Sequence, residues 1–417
     1  MRPPATRRAR LRIAEIGARG DGVADLDGET VYIPYTAPDD LVEASIAGSR
    51  GEIVDLIEPG ASRAEPFCPL FGACGGCALQ HLDKELYADW KRKLLIDALV
   101  RAGLGDAPVG DLIRFPNASR RRASLAVKRT QGGLCFGFNR LRSEKIVDVG
   151  ACPVLAPELQ SALPGLRALS ADIPLISFDL NVTLCDNGID VDIRAPGGPE
   201  IDPLCVADLA APMGAASVVR TSLNGEPLLT LAAPFVLFGG ARVTPPPGGF
   251  LQASREGEAA LINLVRDAIG EAGRIADLFS GCGTFALSLD GASVDAFDAD
   301  AAAIAALDAA ARAAGRRFPI HAEARNLFDR PLVSTELAAY DAVVIDPPRA
   351  GAAAQARELA RSEVPTIVSV SCNPASFARD AAILHGGGYA LSHTRPVDQF
   401  AYAAHLEMVG VFKKAKQ

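Results

Sequence analysis

Arg274-Ile275-Ala276-Asp277-Leu278-Phe279-Ser280-Gly281-Cys282-Gly283-Thr284 is the stretch from which a fold can be read. Its first half is a short apolar run with an acid near its end, the pattern of a buried strand. Its second half carries glycines where a strand-to-helix turn is expected, and glycine lets the backbone turn tightly and approach a bound molecule. Outward from there, Ser293 to Phe297 reads as a second strand ending in Asp298, where doubly wound nucleotide-binding sheets place a carboxylate that accepts from ribose hydroxyls. No third glycine stands at dinucleotide spacing, which counts against a pyrophosphate site; S-adenosylmethionine, with ribose and no phosphate, fits better than NAD. Tyr340 to Ile345 is a further strand that delivers Asp346-Pro347-Pro348-Arg349, a stiffened exit loop, and Thr366 to Val370 delivers Ser371-Cys372-Asn373-Pro374. Strand and helix patterns alternate to the C-terminus, so the last ~165 residues read as a doubly wound α/β domain.

The remaining sequence is of another kind. At 417 residues the chain holds two or three domains at ~150 residues each. Residues 10 to 57 give short alternating segments separated by Gly- and Asp-rich turns, which predict a small OB-like β-barrel. Leu86, Trp90, Leu94, Leu95, Ala98 and Leu99 recur at helical spacing and predict an amphipathic packing helix stopped by Gly103. Residues 112 to 240 alternate again, a mainly antiparallel central domain, and the Pro- and Gly-rich stretch from Thr244 to Gly249 marks the next boundary. The expected division is a barrel over 1–58, a central domain over 59–82 and 112–246, and the α/β domain over 83–111 and 247–417. No apolar stretch approaches the ~18 residues of a membrane span and no signal-peptide core follows the N-terminal arginines, so a cytoplasmic chain without membrane contact is expected.

Charge is informative by region. The net charge of -8 argues against nonspecific coating of nucleic acid. Two basic tracks nevertheless exist: Arg2, Arg7, Arg8, Arg10 and Arg12, and a run from Arg114 to Lys145 that includes Arg120, Arg121 and Arg122. Either a solvated face or an RNA-binding track accounts for each.

The strand exits carry the chemistry. Cys372 sits after a strand and before a proline, on the same sheet edge as Asp277 and Asp346, and is the candidate nucleophile. Glu407 lies in the apolar segment His405-Leu406-Glu407-Met408-Val409, as a buried acid-base group or as a strand-edge carboxylate paired with Lys or Arg. A thiol and a carboxylate are what C5-methylation of a pyrimidine requires. Thiol addition at C6 makes C5 nucleophilic enough to take a methyl group, and a base then removes the C5 proton so that the thiol can leave. Arg349 stands where amino-directed nucleotide methyltransferases place a stacking aromatic, which disfavours N6-adenine chemistry.

Nine cysteines are present, and Cys68, Cys74 and Cys77 form a CxxxxxCxxC array with Gly75 and Gly76 inside it. This suits a metal centre in a reduced compartment better than disulfides, and by spacing zinc and iron-sulfur are equally supported. Cys135, Cys185, Cys205 and Cys282 read as packing residues.

Taken in order, Gly249-Phe250-Leu251-Gln252, Asp277 to Gly283, Asp346-Pro347-Pro348-Arg349, Ser371-Cys372-Asn373-Pro374 and His405-Leu406-Glu407 resemble the RNA uracil-5 methyltransferases over nearly the whole chain. The branch with an N-terminal TRAM barrel and an iron-sulfur cluster, typified by 23S ribosomal RNA enzymes, is the nearer match. The resemblance implies a Rossmann-like class I methyltransferase domain, with Cys372 as nucleophile and Glu407 as base. It implies that Gln252, Phe279, Asp298 and Asp346 line the methyl-donor and target-base pocket, and that Asn326 meets the adenine end of the donor. It also implies a [4Fe-4S] cluster on Cys68, Cys74, Cys77 and Cys152, and ribosomal RNA as the partner of a monomeric chain. Two departures stand out: Ser254 replaces the asparagine of the family's FxQxN pattern, and Thr284 stands where asparagine is common. The alternatives are a transfer-RNA uracil-5 enzyme, a cytosine-5 enzyme, which would carry a cysteine in the 346–349 loop, and a catalytically silent RNA-binding factor.

Overall fold

A computed structural model of the chain describes residues 6–198 and 201–415; Arg2 of the N-terminal basic track lies outside them. The chain divides into two compact units. The first comprises residues 1–94, 138–147 and 400–405, and the second comprises residues 95–137, 148–399 and 406–417.

In the first unit a six-stranded sheet runs in the order Arg7–Arg12, Leu41–Ala47, Arg50–Glu58, Glu29–Ile33, Gly22–Leu26, Glu15–Ile16. Alternation along these strands sends Leu11, Ala24, Val31, Ile33, Val42, Ala44 and Ile46 into one core, as a sheet with one buried face requires. Asp40, wholly buried, anchors the outgoing loop by accepting from the Ala37 and Gly60 amides at 2.6 and 2.8 Å and pairing with Arg63. Lys91 is also fully buried, and its ammonium donates to the carbonyls of Phe400 (3.3 Å) and His405, which ties segment 400–405 into this unit.

Two further large sheets are present, the second of them wholly within the second unit. One runs Glu226–Thr230, Val218–Leu223, Gly188–Arg194, Ser177–Cys185, Arg122–Thr130, Gly133–Asn139, Ile146–Asp148. It is antiparallel except where Gly188–Arg194 and Val218–Leu223 pair in parallel, their connection passing through the helices Pro203–Asp208 and Ala210–Ala215. The other sheet is built from β1 (Arg274–Leu278), β2 (Ser293–Asp298), β3 (Ile320–Ala324), β4 (Ala342–Ile345), β5 (Thr366–Ser371), β6 (Tyr389–Val397) and β7 (Glu407–Lys414), in the order β3-β2-β1-β4-β5-β7-β6. Strands β1 to β5 are parallel and β7 runs antiparallel between β5 and β6. Every residue of β4 and β5 is buried, because helices cover both faces of a parallel sheet. The expected doubly wound α/β domain is therefore present, with its strand order reversing between β1 and β4, where such sheets bind ligands at their carboxyl ends.

The predicted packing helix is Lys84–Arg101. Among the described residues no helix is long and apolar enough to cross a membrane.

Candidate active site

The site assembles at the carboxyl ends of β1, β2, β4 and β5 and the start of β7. Beyond β1 the chain turns at Phe279, which adopts φ +62°, a conformation costing a non-glycine residue about 1 kcal/mol or more. The turn lets the Ser280 backbone N–H donate a hydrogen bond to the Phe297 carbonyl at 3.0 Å. Gly283, at φ +97°, lies where a Cβ would come within 2.4 Å of the Leu307 side chain, so only glycine permits the helix to pack there. Asp298, at the end of β2, accepts from the Gly281 amide at 2.8 Å and from the Asp300 amide at 2.8 Å. Asp277 is wholly buried; one carboxylate oxygen takes the Ala286 amide at 2.9 Å and the other, like the Ser280 hydroxyl, has no partner. Burial raises the Asp277 carboxyl to about 8, with smaller contributions from Asp346 and Asp298.

A second group converges from different parts of the chain. Gln252 donates from Nε2 to Asp346 Oδ2 at 3.1 Å. Gln399 donates from Nε2 to Gln252 Oε1 at 2.8 Å and to Glu407 Oε2 at 2.8 Å, and its Oε1 accepts the Ala253 amide at 3.0 Å. Gln252, Gln399 and Glu407 are all buried. Burial drives the Glu407 carboxyl well above the usual range, and the negative Asp346 adds to the rise. Asp346 is itself pushed up to about 7 by burial, partly offset by the Gln252 hydrogen bond. Cys372 follows β5 and is half-buried; burial first, then the carboxylates of Glu407 and Asp346, raise its thiol to about 11, while Arg349 lowers it. The Cys372 turn is pinned by Asn373, which caps the helix Pro374–Gly386 through the Ala375 amide and donates to the Arg349 carbonyl at 2.9 Å.

Cys372, Glu407, Gln252 and Asp346 are thus brought together, and Asp298 joins them at the β2 end. Phe279 meets the exposed ring of Phe328 with centroids 5.4 Å apart. Asn326 is exposed and spends its side chain on Asp329 (2.6 Å) and on the Phe328 amide (3.0 Å), closing a local turn. Ser254 acquires a concrete role: buried, it caps the helix Arg255–Ile269 by accepting the Gly257 amide at 3.0 Å, a task serine and asparagine perform equally well.

Part of the second basic track points inward. Arg121 is buried, donates from Nε to the Gln252 carbonyl at 2.8 Å and pairs with Glu258. Arg122 donates to the carbonyls of Leu251 (2.6 Å) and Gly249 (3.3 Å). Arg129 donates to the carbonyls of Ala171, Ile173 and Leu175. These arginines hold loops in place, so neither of the two readings of the second basic track, a solvated face or an RNA-binding track, holds for Arg121 and Arg122: backbone carbonyls and a buried carboxylate already occupy them. The sequence singled out Arg121 as part of a basic track but not as a buried loop anchor, and no charge or spacing signal marked Gln399.

Among the described residues no disulfide links any of the nine cysteines. Cys68, Cys74 and Cys77 belong to the first unit and Cys152 to the second. Among the described residues no group of three or more His, Cys, Asp or Glu side chains is gathered in a metal-holding arrangement. Around the array one backbone amide reaches a sulfur, while burial raises the Cys74 thiol above its ordinary value. Gly76 donates its amide to Cys74 Sγ at 3.4 Å, Gln80 accepts the Cys68 amide at 3.1 Å, and the Gln80 Nε2 and Tyr35 hydroxyl are buried without partners. Cys185 and Cys282 are buried as expected of packing residues, whereas Cys135 and Cys205 are partly exposed.

The chain is 43% identical to an uncharacterized RNA methyltransferase of Caulobacter vibrioides, over 97% of this chain and 99% of that one. It is 41% identical to a protein of the same description from Rhizobium meliloti, again over 97% and 99%. The chain belongs to this RNA methyltransferase family. Residues 309–416 of the methyltransferase match the family model for tRNA (uracil-5-)-methyltransferase, a span that contains Cys372 and Glu407. The 23S rRNA (uracil(1939)-C(5))-methyltransferase of Vibrio vulnificus is 29% identical over 99% of this chain and 97% of its own. Among solved structures, the tRNA (uracil-54, C5)-methyltransferase of Pyrococcus abyssi superposes with a TM-score of 0.74 at 23% identity, covering 97% of this chain and 100% of that one, and shares its fold.

Proposed function

We propose that this methyltransferase transfers a methyl group to C5 of uracil in RNA, with Cys372 as nucleophile, Glu407 as base and ribosomal RNA as substrate. The observation that carries the proposal is the convergence of a strand-exit thiol with two buried carboxylates whose affinity for protons is raised. Cys372, once its thiol proton has been lost to solvent, adds to C6: a sulfur pair forms the C6–S bond and the C5–C6 π pair moves out as an enolate, which makes C5 the nucleophile that takes the methyl group from the sulfonium. After C5 is alkylated, Glu407 takes the C5 proton, the C5–H pair becomes the C5–C6 double bond, and the C6–S pair returns to sulfur. A carboxylate with a raised pKa is suited to that proton transfer near neutrality.

S-adenosylmethionine, when bound, supplies the methyl group as a sulfonium electrophile. Asp298 would hold its ribose and the unpartnered oxygens of Asp277 and Ser280 its charged amino-acid end, over the turn at Gly281 and Gly283. Phe279 and Asn326 complete this donor pocket in the proposal. The likeness over 99% of this chain to the 23S rRNA enzyme of Vibrio vulnificus supports the reading of ribosomal RNA as substrate. The four cysteines 68, 74, 77 and 152 are proposed, from the resemblance to the cluster-bearing branch of the uracil-5 methyltransferases, to hold a [4Fe-4S] cluster that shapes the protein without taking part in the reaction, since methyl transfer moves no net electrons. The N-terminal sheet is proposed as the TRAM barrel, the division into barrel, central and catalytic domains follows, and the chain is placed in the cytoplasm as a monomer.

The test is anaerobic incubation with methyl-labelled donor and ribosomal RNA lacking the modification, followed by nucleoside mass spectrometry. Labelled 5-methyluridine from the wild type and none from Cys372→Ala is expected. Labelled 5-methylcytidine, or no label with any RNA, refutes the proposal, and label confined to transfer RNA moves the substrate.

A further inference from the structure

Gln399 has no role in the reaction just described, yet it is the best-connected neutral side chain at the site. It is buried at 3% exposure and makes three hydrogen bonds of 2.8 to 3.0 Å, to Gln252, Glu407 and the backbone of Ala253. The Ala253 amide can only donate, so it fixes the Gln399 carbonyl oxygen toward itself and the amide nitrogen toward Gln252 and Glu407. With nitrogen there, Gln252 must present its own oxygen to Gln399 and hence its nitrogen to Asp346. A single backbone N–H therefore sets the polarity of a chain that runs Ala253, Gln399, then Gln252 and Asp346 on one arm and Glu407 on the other. The bond from Gln399 engages one lone pair of one Glu407 oxygen and so fixes the rotation of the carboxylate.

We propose that Gln399 is a positioning residue that fixes the orientation of Glu407 as a base and the donor–acceptor polarity of Gln252 toward the target pyrimidine. The proposal rests on the uracil-5 reaction described above. Gln399 acts through Glu407 and Gln252 and touches no reacting atom.

Two variants separate this role from simple loop support. Gln399→Glu keeps an oxygen for the Ala253 amide and, protonated by its buried acidic surroundings, at most one O–H donor in place of two N–H donors; Gln399→Met fills the volume and loses both functions. The groups whose charge bears on Glu407 are Asp346, from the exit of β4, and Cys372, from the exit of β5, with Arg349 acting on Cys372. In this field, N–H donation by Gln399 favours the ionised carboxylate. Its removal raises the pH at which Glu407 ionises and moves the acidic limb of the kcat profile upward by about one unit. In both variants kcat is expected to fall on the order of 10- to 100-fold. RNA covalently attached to Cys372, seen as a band surviving denaturing electrophoresis, is expected to accumulate, because adduct formation continues while its resolution slows.

Wild-type kcat in Gln399→Met overturns the inference, and so does a fall in kcat with neither adduct accumulation nor a moved acidic limb. Both results presuppose active wild-type enzyme. A wild type that forms neither 5-methyluridine nor adduct overturns the uracil-5 proposal itself, so the two failures are distinguishable.

Discussion

Replacing Arg121 by methionine tests how the Gln252 loop is held. Arg121 is 2% exposed and its partner Glu258 is 7% exposed, in the first turns of the helix Arg255–Ile269. The guanidinium also donates to the Gln252 carbonyl at 2.8 Å, while the Arg121 amide donates to the Ala253 carbonyl at 2.9 Å. The Arg121→Met side chain would fill the volume but strand Glu258 without its cation, a loss of about 3–5 kcal/mol for a buried pair broken on one side. At roughly 2–4 °C per kcal/mol for a unit of this size, the melting temperature should fall by about 6–20 °C. Burial already raises the Glu258 carboxyl and the charge of Arg121 counteracts it, so the variant's folded-state pKa rises further above the unfolded value. Such a group contributes stability that is fully present below the unfolded pKa and lost as pH rises through the folded one. The stability gap to wild type should therefore narrow toward pH 5 and widen toward pH 8. Urea denaturation of the single variants and of the double variant Arg121→Met, Glu258→Gln measures this directly, with the double variant expected to recover about 1.5 kcal/mol or more by the order of such coupling energies. A single-variant loss under about 1 kcal/mol, or a gap flat with pH, refutes the reasoning.

Three further outcomes are expected. Glu407→Gln removes the charge that, after burial, does most to raise the Cys372 thiol from its ordinary value to about 11; the midpoint of Cys372 alkylation by iodoacetamide, followed by peptide mass spectrometry, should move to lower pH, and an unmoved midpoint contradicts the assigned proximity. Gly283→Ala places a methyl 2.4 Å from Leu307 at φ +97° and should cost about 1–3 kcal/mol together with donor affinity, checked by thermal melts and by calorimetry with S-adenosylhomocysteine. Asp40→Ala deprives the Ala37 and Gly60 amides and Arg63 of their shared acceptor; hydrogen exchange should quicken over residues 36–63 with a loss of about 2–4 kcal/mol, and unchanged protection there counts against Asp40 as the anchor.

What was legible in the sequence divides along physical lines. Parallel strands covered on both faces read as unbroken apolar runs, so β4 and β5 and the residues at their exits were visible, and with them Asp346 and Cys372. Glu407 was visible because a carboxylate in apolar company is costly and therefore conspicuous. The arginines at 120 to 122 misled for the opposite reason. Adjacent cations look like a solvated face, and the acid that buries Arg121 lies 137 residues away, beyond the reach of any local pattern. Phe279 bears its positive φ because the turn beyond β1 imposes it, and an aromatic residue announces no such preference. Gln399 is the limiting case: a neutral amide leaves no trace in charge, periodicity or spacing. Its importance comes from the direction of one backbone N–H, which exists only once residues 253, 399 and 407 have been folded onto one another. Charges that must be neutralised can be sought in a sequence, whereas hydrogen-bond polarity is a property of the assembled site, and at this site it fixes which groups of Gln252 and Glu407 face the Gln399 amide nitrogen.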